Sequence, residues 1–278
     1  MLSKRQFIHQ CAGCAAGLFT TSLLAREGVE VGKTSAFANL VPAAQVEGSA
    51  TQQYAQMLKQ ARDNNALAPD NHPEVIRLRA IAQKLIPFSY EWNPRARQWR
   101  WEVNLIGSKQ INAWCMPGGK IAFYTGILEQ LELNDAEVAA VMGHEVAHAL
   151  REHARERMGK STATSIGARV GGALIAGALG IDPRITDYAA QGAANLLTLK
   201  FSREDESEAD LVGIELAARA GYNPRGGITL WEKMSAKAKG APPQWLSTHP
   251  AGSTRIHDIE KNLPKVMPLY ERAPKAPA

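Results

Sequence analysis

The sequence predicts an α+β fold that is mainly α-helical, on three observations. Several capped, periodic helical patterns fill the chain after residue 127. Short alternating segments around a Pro-Gly-Gly turn occupy residues 99–125, as expected for a small antiparallel sheet. The third is composition: 45% hydrophobic and 21% charged residues in a chain of 278 is that of a globular protein able to bury a substantial core. No run of about 18 uncharged apolar residues is available to cross a bilayer. A net charge of +5 is too mild to imply a polyanion, so no nucleic-acid partner is expected.

Residues 1–38 read as a signal peptide. Ser3-Lys4-Arg5-Gln6-Phe7 is a basic opening, Cys11 to Ala25 is modestly apolar, and Ala36-Phe37-Ala38 has the small-x-small pattern of a cleavage site. The Lys-Arg pair before Gln-Phe resembles a twin-arginine signal. Export to the periplasm is the expectation, and cleavage after Ala38 would leave Cys115 as the lone thiol. Residues 39–70 read as a linker with a short helix from Tyr54 to Ala66, residues 71–265 as the main folded domain, and the Pro/Lys-rich 266–278 as a flexible tail.

Asn71 or His72 caps the next helix, Pro73 suits its first turn, Val75, Ile76, Leu78, Ile81 and Leu85 form its apolar face, and Pro87 stops it. Trp99, Trp101, Val103 and Leu105 alternate with polar residues, the period of a half-buried strand. Ile111–Met116 and Ile121–Thr125 flank Pro117-Gly118-Gly119 as two further strands. Asn134 with Glu137 forms a capping-box pair opening a helix to about Arg157. A second helix opens at Ser202 and ends at Gly221, and a third runs from about Pro224 to Lys239. Between the first two lies the Gly-rich apolar segment Ile166–Gly180, which suits a packed hairpin, a lid, or a segment in peripheral membrane association.

His144-Glu145-Val146-Ala147-His148 is His-Glu-x-x-His within a predicted helix. Residues four apart leave the same helix face about one turn apart, so both imidazoles can meet one Zn²⁺. Glu145 points about 100° away, placed to reach a water at the metal and act as general base. A catalytic zinc needs a third protein ligand. In the helix opening at Ser202, Glu206 shares a small, apolar stripe with Ala209, Asp210, Gly213 and Leu216, whereas Glu204, Glu208 and Glu215 share an outward charged stripe. Glu206 is therefore the expected ligand. Asp210, one turn on, can accept a hydrogen bond from the outer N–H of His144 or His148. Of the remaining histidines, His153 falls about 500° past His148 on a continuous helix, off the metal stripe, where a solvated or capping role is expected.

Val141 through Ala149, with Ser202-Arg203 and Glu206 through Asp210, resembles the zinc metallopeptidases of the HtpX and CaaX-prenyl-protease type, gluzincins whose third ligand is the Glu of a Glu-x-x-x-Asp helix. Gly221-Tyr222-Asn223-Pro224, Trp231 through Met234, and Ser247-Thr248-His249-Pro250 with Arg255 recur there in the same order, so the resemblance covers about residues 75–265. It implies one Zn²⁺ per chain on His144, His148 and Glu206, with Glu145 as catalytic base and Asp210 bracing a ligand histidine. His249 would be a fourth ligand or an oxyanion donor. Arg255 would anchor its loop or an acidic partner, or lie on the surface.

Asn112, Ala113 and Trp114 would belong to an edge strand that binds substrate, with Cys115 a buried thiol or one with a redox or metal-blocking role. The implied function is a cell-envelope metalloendopeptidase cleaving unfolded or misassembled proteins. The alternative is a chaperone-like module that binds outer-membrane proteins and retains a zinc site.

Overall fold

The structure is a computed structural model describing residues 26–164, 196–238, 243–249 and 253–275. The Gly-rich segment 166–180 and the leader up to residue 25 lie outside the described residues. In order come helices α1 (Ala43–Asp63) and α2 (Pro73–Ser89), strands β1 (Glu102–Ile106), β2 (Ala113–Met116) and β3 (Lys120–Tyr124), then helices α3 (Thr125–Gln130) and α4 (Asp135–Leu150). A helical stretch at 153–164 (α5) follows. The chain continues with α6 (Arg203–Arg219), α7 (Gly226–Lys237), the single turn α8 (Trp245–Thr248) and α9 (Ser253–Arg272). The α+β, helix-dominated expectation holds. No helix among the described residues is long and apolar enough to cross a membrane.

The central element is α4, buried without interruption from Glu137 to Leu150. Its start is the expected capping box: Asn134 Oδ1 accepts from the Glu137 N–H and Glu137 Oε2 accepts from the Asn134 N–H. Helix α6 crosses it where two glycines meet. A Cβ on Gly143 would lie 2.6 Å from the Gly213 carbonyl oxygen, and one on Gly213 would lie 2.7 Å from the His144 nitrogen. Only bare backbone lets the helices approach so closely, and that approach sets His144 beside the inward stripe of α6.

The sheet is mixed rather than antiparallel. Its order is β1-β3-β2, with β2 antiparallel to β3 and β1 parallel to it. The Gly118-Gly119 turn, with φ of +88° and +76°, folds β3 back on β2 and inserts it between β2 and β1. Alternation predicts strands but not which neighbours pair. Trp99 and Trp101 precede β1, since Pro94–Gln98 forms a 3-10 turn ending at Trp99.

Other boundaries also move. The linker expected at 39–52 is largely helix, because Val46, Ala50 and Tyr54 recur every four residues and are buried. His72 is the cap of α2, its Nδ1 accepting from the Glu74 N–H, and the helix passes Pro87 to Ser89. The expected tail is helical to Arg272, with Val266 and Leu269 buried.

Residues 26–38, read from sequence as the end of a signal peptide, pack on the body. Val29 and Ala38 are buried, the Val29 N–H donates to Glu215 Oε2 at 2.8 Å, and Arg26 bonds the same carboxylate while lying over Trp92. Glu215, expected on an outward stripe, is fully buried because this segment and Arg219 cover it. Residues 26–41 thus form a strap packed on the body of the fold.

Candidate metal centre

His144 and His148 on α4, Glu206 on α6 and His249 after α8 converge, each offering one donor atom within 4.8 Å of the others. His144 Nε2 lies 3.0 Å from His148 Nε2 and 3.2 Å from His249 Nδ1. The Glu206 carboxylate lies 3.5 Å from His148 Nε2, 3.6 Å from His144 Nε2 and 3.0 Å from His249 Nδ1. A tetrahedron of metal–ligand bonds near 2.05 Å has edges of about 3.3 Å, so the spacing fits a zinc-sized ion. Lone pairs packed this closely repel unless positive charge lies among them. Imidazole nitrogens with one carboxylate are also the donor set zinc prefers.

All four side chains are buried. Burial, with neighbouring His144 and His153, holds His148 well below the usual histidine pKa, so it stays neutral with a lone pair to give. For Glu206, burial favours the neutral acid, but His249, His144 and Arg255 outweigh it and keep the carboxylate ionised. Burial opposes a charged His249 too, yet Glu145 and Glu206 raise its pKa.

Supporting groups surround the donors. Asp210 Oδ1 accepts from His144 Nδ1–H at 3.0 Å, which turns Nε2 towards the centre. Burial opposes ionisation of Asp210, but Arg255 and His144 overcome it and set its pKa at about 2. Arg255 is neither a surface arginine nor a loop anchor alone. Fully buried, it donates to Asp210 at 2.6 and 2.7 Å and to Glu206 at 2.6 Å, stacked 3.7 Å over Trp231. Glu145 Oε1 accepts from Trp245 Nε1 at 2.6 Å and lies 3.6 Å from His249 Nε2.

Asn112, Ala113, Trp114 and Cys115 line a narrow cleft together with Glu145, His148, Phe201 and His249. β2 is an edge of the sheet, as expected, and it faces the metal ligands. Cys115 is buried, its thiol pKa raised by burial and by Glu145. A larger groove of about 720 Å³ lies between α1, α2 and β1, but among the described residues the metal-ligand group converges at the smaller cleft instead, which makes that cleft the candidate site.

His153 is the residue that sequence reasoning misplaced. It is buried and bonds His148, while Glu208, expected outward, bonds His153 and Arg151. The helix expected to reach Arg157 breaks after Leu150, with Glu152 at φ +60°, and the break swings His153 back towards His148. The signal was the histidine itself, five residues after the motif; the assumption of a continuous helix hid it.

Known proteins share this arrangement of sequence. The family described as Peptidase family M48 matches residues 74–263. The mitochondrial metalloendopeptidase OMA1 of Saccharomyces cerevisiae is 30% identical over 221 residues, covering 74% of this chain and 61% of that protein. The Arabidopsis thaliana OMA1 is 39% identical over 155 residues, 56% of this chain and 30% of that one. The beta-barrel assembly-enhancing protease of Escherichia coli is 28% identical over 173 residues, 59% of this chain and 35% of that one. The chain thus spans less than two thirds of the length of these relatives. With the metal-ligand group and its bracing carboxylate inside the matched region, the chain belongs to peptidase family M48, the zinc metallopeptidases.

Proposed function

We propose that this protein is a zinc-dependent endopeptidase that cleaves extended segments of unfolded or misassembled polypeptides. The observation that carries the reading is the meeting of His144, His148 and Glu206 with Glu145 directly beside an edge strand. His144, His148 and Glu206 would hold Zn²⁺, with His249 Nδ1 in reach as a fourth donor. When bound, the ion supplies a Lewis acid that polarises the scissile carbonyl and acidifies water.

Glu145 takes the proton of the attacking water and passes it to the departing amine nitrogen. The Trp245 N–H holds Oε1 of that carboxylate, leaving Oε2 for the proton. His249, whose Nε2 lies 3.6 Å from Glu145 Oε1, stands where an imidazole N–H could donate to the oxyanion. Asp210 and Arg255 fix His144 and Glu206 in position. The edge strand β2 offers main-chain hydrogen bonds to an extended peptide, which reads backbone more than side-chain identity and so favours unfolded chains.

We also place this activity in the cell envelope, in the periplasm. That reading rests on the basic-then-apolar leader pattern and on the name of the Escherichia coli relative, a protease that enhances β-barrel assembly. The OMA1 relatives are named for mitochondria, so the compartment is the part of the proposal that the leader must carry.

The test is zinc content by elemental analysis, together with mass spectrometry of casein digests. Wild type should carry about one zinc and make internal cuts. Chelation should abolish cutting, and Glu145→Gln should lower it by roughly 10³-fold or more while zinc and fold persist. Release of single residues or dipeptides alone would point to an end-trimming enzyme. Equal rescue of an envelope phenotype by wild type and Glu145→Gln would favour the chaperone-like module instead.

A further inference from the structure

The two histidines of the metal-binding pair are braced differently. His144 Nδ1 meets a carboxylate directly, 3.0 Å from Asp210 Oδ1. Among the described residues, no carboxylate meets the outer nitrogen of His148. Its Nδ1 lies 2.9 Å from Nδ1 of His153, whose Nε2 lies 3.2 Å from Glu208 Oε2. The other oxygen of Glu208 accepts from Arg151 Nε, and Arg151 in turn donates to the Gly32 carbonyl of the strap. His153 and His148 are both buried, so water does not compete for the bond between them, while Glu208, 21% exposed, keeps some contact with solvent.

We propose that His153 is a positioning residue for the metal ligand His148, relaying the hold of Glu208 through a second imidazole. The proton positions follow from the network. His148 turns Nε2 to the other donors, so its proton sits on Nδ1. His153 must then accept at Nδ1 and carry its own proton on Nε2. That N–H donates to Glu208, a carboxylate held by Arg151. Each atom of the chain therefore has one assigned role, and the sequence His148–His153–Glu208 does for one ligand what Asp210 does alone for the other. Phe201, stacked on His148 with centroids 4.0 Å apart, fixes the ring plane the relay needs. The strap enters the same network at Gly32, which ties segment 26–41 to the metal centre through Arg151.

This inference rests on the metal-centre reading, and its test separates the two. Zinc affinity of the full chain is measured by competition with a chromophoric chelator, alongside the visible spectrum of the Co²⁺-substituted protein and the melting temperature of the metal-free form. In His153→Gln the side-chain carbonyl can accept from His148 and the amide can donate to Glu208, so affinity should stay within about threefold of wild type. His153→Phe keeps volume but accepts nothing, and should weaken zinc by about 10–100-fold and shift the cobalt bands.

Glu208→Leu, at a side chain 21% exposed, should weaken it by several-fold, up to about tenfold, and carries the test if His153→Phe does not fold. Wild-type affinity in His153→Phe or Glu208→Leu would overturn the relay. Equal losses in His153→Gln and His153→Phe would overturn it too, by assigning the effect to packing. A wild-type protein that takes up no zinc would overturn the metal-centre reading itself.

Discussion

The metal centre has two unlike sides. Towards α6 and α9 every polar group is engaged: Arg255 bonds both Glu206 and Asp210, Asp210 also accepts from His144 and from Trp231 Nε1, and all are buried. Towards β2 the wall is Ala113, Trp114, Met116, Leu199 and Phe201, and Trp114 Nε1 has no hydrogen-bond partner among the described residues. The first side is saturated and therefore has one arrangement; the second is mostly apolar and offers few fixed polar partners. The difference separates the two tasks of such a site, since ligand geometry must not vary whereas a cleft that reads backbone must accept many chains.

The contrast can be broken at its stiff side. Arg255→Met would leave Glu206 and Asp210 as adjacent buried anions without their cation, so the metal-free protein should lose about 3–5 kcal/mol of stability in denaturant titration. A loss below about 1 kcal/mol would mean that solvent already reaches those carboxylates. Next in size is Gly213→Ala, whose Cβ would press on the His144 backbone at 2.7 Å. It should cost about 1–3 kcal/mol in thermal or chemical denaturation, with zinc affinity falling as α4 and α6 part.

The smallest effect sharpens the comparison from the cleft side. Trp114→Phe keeps an aromatic ring against Tyr54 but removes the buried Nε1–H, which has no partner among the described residues. It should raise KM for a defined peptide by about two- to tenfold, the worth of one neutral hydrogen bond, with zinc content unchanged. If zinc falls instead while KM holds, the two sides are not separable.

Much of this centre was legible in the chain. Helical spacing alone put His144 and His148 on one face and singled out Glu206 and Asp210 as the inward carboxylates, and the structure brings the four together. Those relations are local to one helix turn, where 3.6-residue periodicity governs. What spacing could not reach is whatever depends on distant chain. The burial of Glu215 is invisible without the strap, the parallel pairing of β1 depends on β3 arriving between the outer strands, and the place of His153 depends on one residue at positive φ. Arg255 and His249 were reached only by resemblance, since neither has a local pattern.

Both ligand-bearing helices begin with a reciprocal clasp: Asn134 with Glu137, and Ser202 with Asp205 at 2.8 and 3.2 Å. In α6 the clasp sits only one turn from Glu206, whose N–H makes an opening helical bond to the Ser202 carbonyl at 3.0 Å. Helix ends fray unless they are capped, and this clasp holds the turn that carries the carboxylate donor. Thermodynamic linkage then makes metal capture and the winding of that end one joint equilibrium: occupancy suppresses fraying, and a weakened serine hydroxyl would be felt as a leakier ion.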